Sequence, residues 1–175
     1  MTATELERVS IPGKVTELIR GRLVVREPPG TRHGAIAANL AYYIGDYVRR
    51  HRLGTVFAQD TGFKITTDPD TVRAPDVAFV AREHADRIPA RGYAALAPDL
   101  LAEVLSPDDR PGEVLAKIAD WLSAGTRLVW LVDPQRSEVR VYRHDGSLSV
   151  LGASDSLEGE AVLPGFICPL TNFLS

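Results

Sequence analysis

Three short apolar runs limit what this chain can fold into: residues 77–80 (Val-Ala-Phe-Val), 100–105 (Leu-Leu-Ala-Glu-Val-Leu) and 128–132 (Leu-Val-Trp-Leu-Val). The last contains no charged residue and reads as a strand buried on both faces, which requires packed layers above and below it. The other two are marked by acids, Asp76 at the entry of the first and Glu103 inside the second. An isolated ionised carboxylate in apolar surroundings costs several kcal/mol, so it is normally neutralised, paired or bound to a metal. The two acids therefore constrain the fold and also point most directly at chemistry.

The remaining segments read as alternating strands and helices. Residues 16–19 and 23–25, around Arg20-Gly21-Arg22, predict a hairpin. Pro28-Pro29-Gly30 stops its second strand, and Thr31 suits the N-cap of a helix running to about Arg52. Ile36, Leu40, Tyr43, Ile44, Tyr47 and Val48 recur in that segment at helical spacing. Residues 55–59 and 62–66 predict two short strands joined by a tight turn at Asp60-Thr61. A loop follows at Asp68-Pro69-Asp70, and residues 84–96 are weakly helical. Pro111 fits a first helical turn and Gly125 a helix end, with Leu115, Ile118, Ala119 and Leu122 as the expected buried stripe between them. Residues 138–143 alternate as a half-exposed strand and turn at 144–147 into residues 148–151. Trp121 and Trp130 are core candidates. No repeat or long linker divides the chain, so one domain over residues 1–175 is expected, with residues 1–10 flexible. The order predicts a mixed α/β (α+β) domain, a central mixed sheet flanked by helices.

Composition narrows the setting. At 175 residues with 45% hydrophobic and 25% charged content, the chain is long enough for a real core and is not a disordered type. The single Cys168 can form neither an internal disulfide nor a zinc site of the usual kind, which points to the reducing cytoplasm. Residues 1–10 lack the apolar core of a signal peptide, and no stretch reaches the roughly 18 apolar residues of a membrane span. A net charge of −3 argues against a broad non-specific nucleic-acid surface. It leaves room for a metal-dependent nuclease, whose own acids are offset by the ion. The one dense basic run, Arg49-Arg50-His51-Arg52, suits a helix end that complements the helix dipole better than a phosphate-contacting patch.

Phosphodiester hydrolysis needs a nucleophilic water, charge neutralisation at phosphorus and help for the leaving oxygen. Mg²⁺ or Mn²⁺ held by one or two carboxylates supplies much of this. Asp76 and Glu103 are too distant in sequence to share a turn, but they meet if their strands are neighbours. The backbone carbonyl of Val104 would then be a third oxygen ligand. Lys117, on the helix after Glu103, is long enough to reach back and stabilise developing charge. Taken singly, Asp76 reads as a turn residue and Lys117 as a surface lysine paired with Glu113. Their combination carries the weight. Glu17 is read either as an added metal ligand or as a solvent-facing acid. His33 is read as a general base, a phosphate contact or a capping residue.

Residues 73–80 (Arg-Ala-Pro-Asp-Val-Ala-Phe-Val), 98–107 (Pro-Asp-Leu-Leu-Ala-Glu-Val-Leu-Ser-Pro), Lys117, and Gly125 through Trp130-Leu131-Val132-Asp133-Pro134 resemble the Uma-type putative restriction endonuclease family. That family lies in the PD-(D/E)XK nuclease superfamily. The resemblance runs from Glu17-Leu18-Ile19-Arg20-Gly21 to Leu163-Pro164-Gly165-Phe166. It implies a restriction-endonuclease-like core in which Asp76 is the acid of the Pro-Asp element and Glu103 the second metal-binding acid. Glu17 and His33 also match positions where the family often has these residue types. Leu105 stands where the superfamily has its lysine, so the resemblance implies that Lys117 takes that part. Leu128 likewise replaces a common acid. The implied activity is Mg²⁺- or Mn²⁺-dependent endonucleolytic cleavage of nucleic acid, with DNA as the expected partner and no membrane. A homodimer is expected, since a two-fold protein matches a duplex cut on both strands. The acidic balance and Leu105 also allow an alternative, an inactive nuclease fold kept as a binding or assembly module.

Overall fold

In the computed structural model, which describes residues 1–174, two helices sandwich one sheet and a smaller sheet stands beside it. The elements run α1 (Ala3–Leu6), β1 (Val15–Ile19), β2 (Arg22–Arg26), α2 (Thr31–His51), β3 (Gly54–Phe57), β4 (Phe63–Thr66), β5 (Thr71–Arg73) and β6 (Val77–Ala81). A 3-10 turn (Arg82–Arg87) precedes β7 (Leu100–Val104), α3 (Pro111–Ser123), β8 (Leu128–Asp133), β9 (Glu138–Arg143) and β10 (Leu148–Leu151). The chain ends with β11 (Ser156–Glu158), β12 (Ile167–Pro169) and α4 (Thr171–Leu174).

The three apolar runs become β6, β7 and β8, side by side in a six-stranded sheet of order β10-β9-β8-β7-β6-β3. Only β7 and β8 are parallel, and α3 makes the crossover between them. Burial on both faces follows from two layers. On one face α2 places Ile36, Leu40, Ile44 and Val48 against Val77, Phe79, Ala102 and Trp130. On the other face α3 places Ile118 and Trp121 against Ala78, Val80, Leu101, Val129 and Leu131. The mixed α/β class is therefore the one the sequence predicts. Among the described residues no helix is long and apolar enough to cross a membrane.

Several local expectations change. The strands near residues 55–59 and 62–66 do not pair with each other. β3 joins β6 in the large sheet, whereas β4 pairs with β5 in an antiparallel four-stranded sheet of order β2-β1-β5-β4. Asp60 between them adopts a left-handed φ of 66°, and the chain leaves one sheet for the other there. β5 follows the Asp68-Pro69-Asp70 loop at a place where the sequence shows only loop signals. Residues 84–96 are not a helix beyond the short 3-10 turn, and the long helix is N-capped by Gly30 rather than Thr31. The N-terminal segment carries a short helix that packs on the smaller sheet. Thr2 caps α1 in a reciprocal box with Glu5, and Ala3 and Leu6 bury against Leu18 and Val72.

The stripe on α3 is the consequential difference. Leu115 is 52% exposed, and the inward face is built from Val114, Lys117, Ile118 and Trp121, at the spacing of helical neighbours. Rotating the helix that way carries Lys117 inward with the apolar residues.

Gly54 tests the β3–β6 edge. A methyl group added there would lie 2.1 Å from the Val80 carbonyl oxygen. Gly54→Ala should therefore destabilise the domain by about 2 kcal/mol or more, read by urea denaturation.

Candidate active site

The register of β6 and β7 sets the site. Val77 pairs with Ala102, so one step further places Asp76 opposite Glu103 at the strand end. Pro75 has no N–H to continue the ladder. The Asp76 side chain takes over instead: its Oδ2 accepts the Val104 N–H at 2.7 Å. Gln59 Nε2 donates to Asp76 Oδ1 at 3.1 Å and lies 3.2 Å from His33 Nδ1. His33, in the first turn of α2, puts its Nε2 3.1 Å from Asp76 Oδ2.

Glu103 points to α3, and both of its oxygens are held from that helix. Lys117 Nζ donates to Oε2 at 2.9 Å and Trp121 Nε1 to Oε1 at 2.9 Å. Lys117 also donates to the Ala74 carbonyl at 3.1 Å and lies 3.5 Å from Glu17 Oε1. Glu17, on β1, does not face solvent. It is buried, accepts the Ala74 N–H at 3.1 Å, and meets Arg73 at 3.3 Å. Asp76, Glu103, Lys117, Glu17 and His33 thus come from both sheets and both long helices to one cleft of about 790 Å³. The basic run of residues 49–52 ends α2 and lines no part of it.

Charge follows from burial. Desolvation, with the nearby charges of Asp76 and Glu17, pushes the Glu103 carboxyl up to about 7 against the pull of Lys117. Burial disfavours the Lys117 ammonium, but Glu103, Glu17 and Asp76 outweigh it and raise its pKa, so it stays charged. Burial opposes ionisation of Glu17 and Asp76 as well. Lys117 and Arg73 around the first, and His33 around the second, hold both below the ordinary carboxylate range. His33 is desolvated yet raised by its bond to Asp76. Glu103 and His33, the two raised groups that titrate near neutral pH, act with one sign on stability. The folded state binds more protons than the unfolded state from about pH 4.5 upward through the Glu103 value. Stability in EDTA should therefore fall between pH 5 and pH 8, on the order of 1–3 kcal/mol, and Glu103→Gln should flatten part of that slope in urea titrations.

Asp76, Glu103 and Val104 line the cleft, and carboxylate and carbonyl oxygens are the hard donors that Mg²⁺ and Mn²⁺ prefer. Among the described residues, no group of three or more His, Cys, Asp or Glu side chains is gathered to hold an ion unaided. Mg²⁺ does not need such a cage, because it keeps several waters and binds through one or two carboxylates. The donor set fits the ion in kind.

Gln59, Arg73, Asp120 and the Trp121 N–H are participants that sequence reasoning missed. Trp121 was detectable in principle, four residues after Lys117 on the same helical face. Arg73 directly precedes the Ala-Pro-Asp block. Gln59 and Asp120 carry no pattern of their own.

A family model described as "Uma2: Putative restriction endonuclease" matches residues 4–171. A crystal structure described as a putative nuclease belonging to DUF820, from Anabaena variabilis, is similar in fold. It superposes with a TM-score of 0.82 at 24% sequence identity, over 99% of this chain and 97% of the other. No curated protein matches the chain.

Proposed function

Because this chain belongs to the Uma2 putative restriction endonuclease family, we propose that it is a metal-dependent endonuclease that hydrolyses phosphodiester bonds in DNA. The observation that carries this reading is the lysine. Lys117 arrives from α3 at Glu103, at 2.9 Å, although Leu105 occupies the usual strand position. Asp76 and Glu103, with the Val104 carbonyl, would hold the ion, and Mg²⁺ or Mn²⁺ there would neutralise charge at phosphorus and lower the pKa of water.

This chain's own residues do the rest. The Lys117 ammonium stands beside the acids, where it would orient the attacking water or stabilise negative charge on the phosphoryl oxygens. His33 and Gln59 fix the orientation of Asp76 through both of its oxygens. Glu17, buried and engaged by Ala74, Arg73 and Lys117, would serve as a counter-ion to Lys117. Cutting both strands of a duplex would call for a homodimer.

The test is incubation of the purified protein with supercoiled plasmid and single-stranded DNA, in Mg²⁺, Mn²⁺ or EDTA. Metal-dependent nicking that EDTA abolishes supports the reading. Absence of cleavage with every metal and substrate, together with no Mn²⁺ binding by calorimetry at millimolar metal, favours an inactive nuclease-fold module.

A further inference from the structure

Five side chains form a line of alternating charge running from α3 through the smaller sheet and back to the cleft: Asp120, Arg73, Glu17, Lys117 and Glu103. Arg73, on β5, donates through Nη2 and Nε to Asp120 Oδ2 at 2.5 and 3.2 Å, and through Nη1 to Glu17 Oε2 at 3.3 Å. Arg73 and Glu17 are each 3% exposed. Neither Arg73 nor Asp120 lines the cleft, so neither can touch a substrate there. Glu17 does line it, and its other oxygen lies 3.5 Å from Lys117 Nζ.

A lysine on β7 would be aimed by the strand backbone. Lys117 instead reaches over from a helix on a flexible four-carbon stem, so its ammonium needs fixed acceptors. Three surround it: the Ala74 carbonyl, Glu103 and Glu17. Glu103 is also the acid we assign to the ion, and an ion would compete for its oxygens. Glu17 and the Ala74 carbonyl are the acceptors that stay. Buried charge networks are poor stabilisers compared with apolar packing, so a fully buried arginine joining two acids suits positioning better than stability.

We infer that Arg73, braced by Asp120, is a positioning residue: it holds Glu17 as the permanent counter-ion that keeps Lys117 at the cleft when Glu103 engages a cation. The inference rests on Lys117 acting as proposed above, but its geometric half is testable without activity.

The experiment uses the full chain as wild type, Arg73→Lys, Arg73→Gln and Asp120→Asn, with folding checked by circular dichroism. The first readout is the ¹⁵N-ammonium resonance of Lys117 in metal-free protein, with every variant read in a Glu103→Gln background so that Glu103 no longer offers its charge to the lysine, and assigned by its absence in Lys117→Arg. It should be observable with Arg73 intact, lost in Arg73→Gln and recovered in Arg73→Lys. The second readout is single-turnover cleavage with Mn²⁺. The rate should fall about 10- to 100-fold in Arg73→Gln and Asp120→Asn, the cost of a misplaced group, while Mn²⁺ affinity by calorimetry changes less than about threefold. An unchanged ammonium resonance in folded Arg73→Gln overturns the inference, as does a loss of Mn²⁺ affinity that matches the loss of rate. If Arg73→Gln does not fold, Asp120→Asn decides by the same two readouts. If wild type cleaves nothing, the nuclease reading fails while the resonance still tests the charge line.

Discussion

Asp76→Asn and Glu103→Gln should each reduce metal-dependent cleavage by about a thousandfold or more, yet only Asp76→Asn should destabilise the metal-free domain. Both substitutions keep side-chain size and remove one negative charge from the cleft. They differ in what the charge does for the fold. Asp76 accepts the Val104 N–H and faces His33, and its pKa is lowered, so its ionised form contributes stability above its unfolded value. Asp76→Asn should therefore lower unfolding free energy at pH 8 by about 1–2 kcal/mol. Glu103 is the reverse case. Its buried carboxyl is pushed up to about 7, so at pH 8 the folded protein carries an ionised group that burial disfavours. Glu103→Gln should leave the metal-free domain as stable as wild type, or more so. Nicking assays and urea denaturation in EDTA at pH 8 measure the two halves. Retained cleavage in both variants would remove these acids from the proposed metal site, and equal destabilisation would overturn the charge assignment.

Lys117→Met should be the most destabilising change at the site. The ammonium serves Glu103 at 2.9 Å and Glu17 at 3.5 Å, and both acids are buried. Removing one partner of a buried ionic group leaves uncompensated charge, at a cost of about 3–5 kcal/mol. The loss should be smaller at pH 5, where the Glu103 carboxyl takes up a proton, than at pH 8, where it cannot do so without working against the solvent. Adding Glu103→Gln to Lys117→Met should restore much of the stability while leaving the protein inactive, because it removes the other half of the pair. A urea series of the two single variants and the double variant at both pH values checks this. Additive losses would mean that the two residues do not act on each other.

The central strands were legible because their signal is local. Runs 100–105 and 128–132 lie fully within buried strands β7 and β8, apart from Leu105 at the very end. The acid-in-apolar pattern likewise led to Asp76 and Glu103, whose oddity is visible without a partner. The false hairpin at Asp60-Thr61 came from the same local logic, since two adjacent strand-like runs look alike whether or not they share a sheet. On α3 the expected stripe of Leu115, Ile118, Ala119 and Leu122 held for Ile118 and Leu122 but not for Leu115 and Ala119, and the inward face includes Lys117 and Trp121, because Glu103 below offers two oxygens to a lysine and an indole N–H.

By itself, then, the sequence determined that a covered sheet would form, which strands would be buried in it, and that two acids would need neutralising there, because periodicity and the cost of an unpaired carboxylate are properties of short segments. Only the tertiary structure decided what neutralises them. Strand order and the rotation of α3 bring Lys117 and Trp121 to Glu103, and His33 and Gln59 to Asp76, while the approach of the smaller sheet brings Glu17, held by Arg73, to Lys117. Lys117, Glu17 and His33 were visible in the sequence as candidates without their partners, whereas Gln59 and Asp120 meet the site through contacts between distant segments that leave no repeating pattern in the chain.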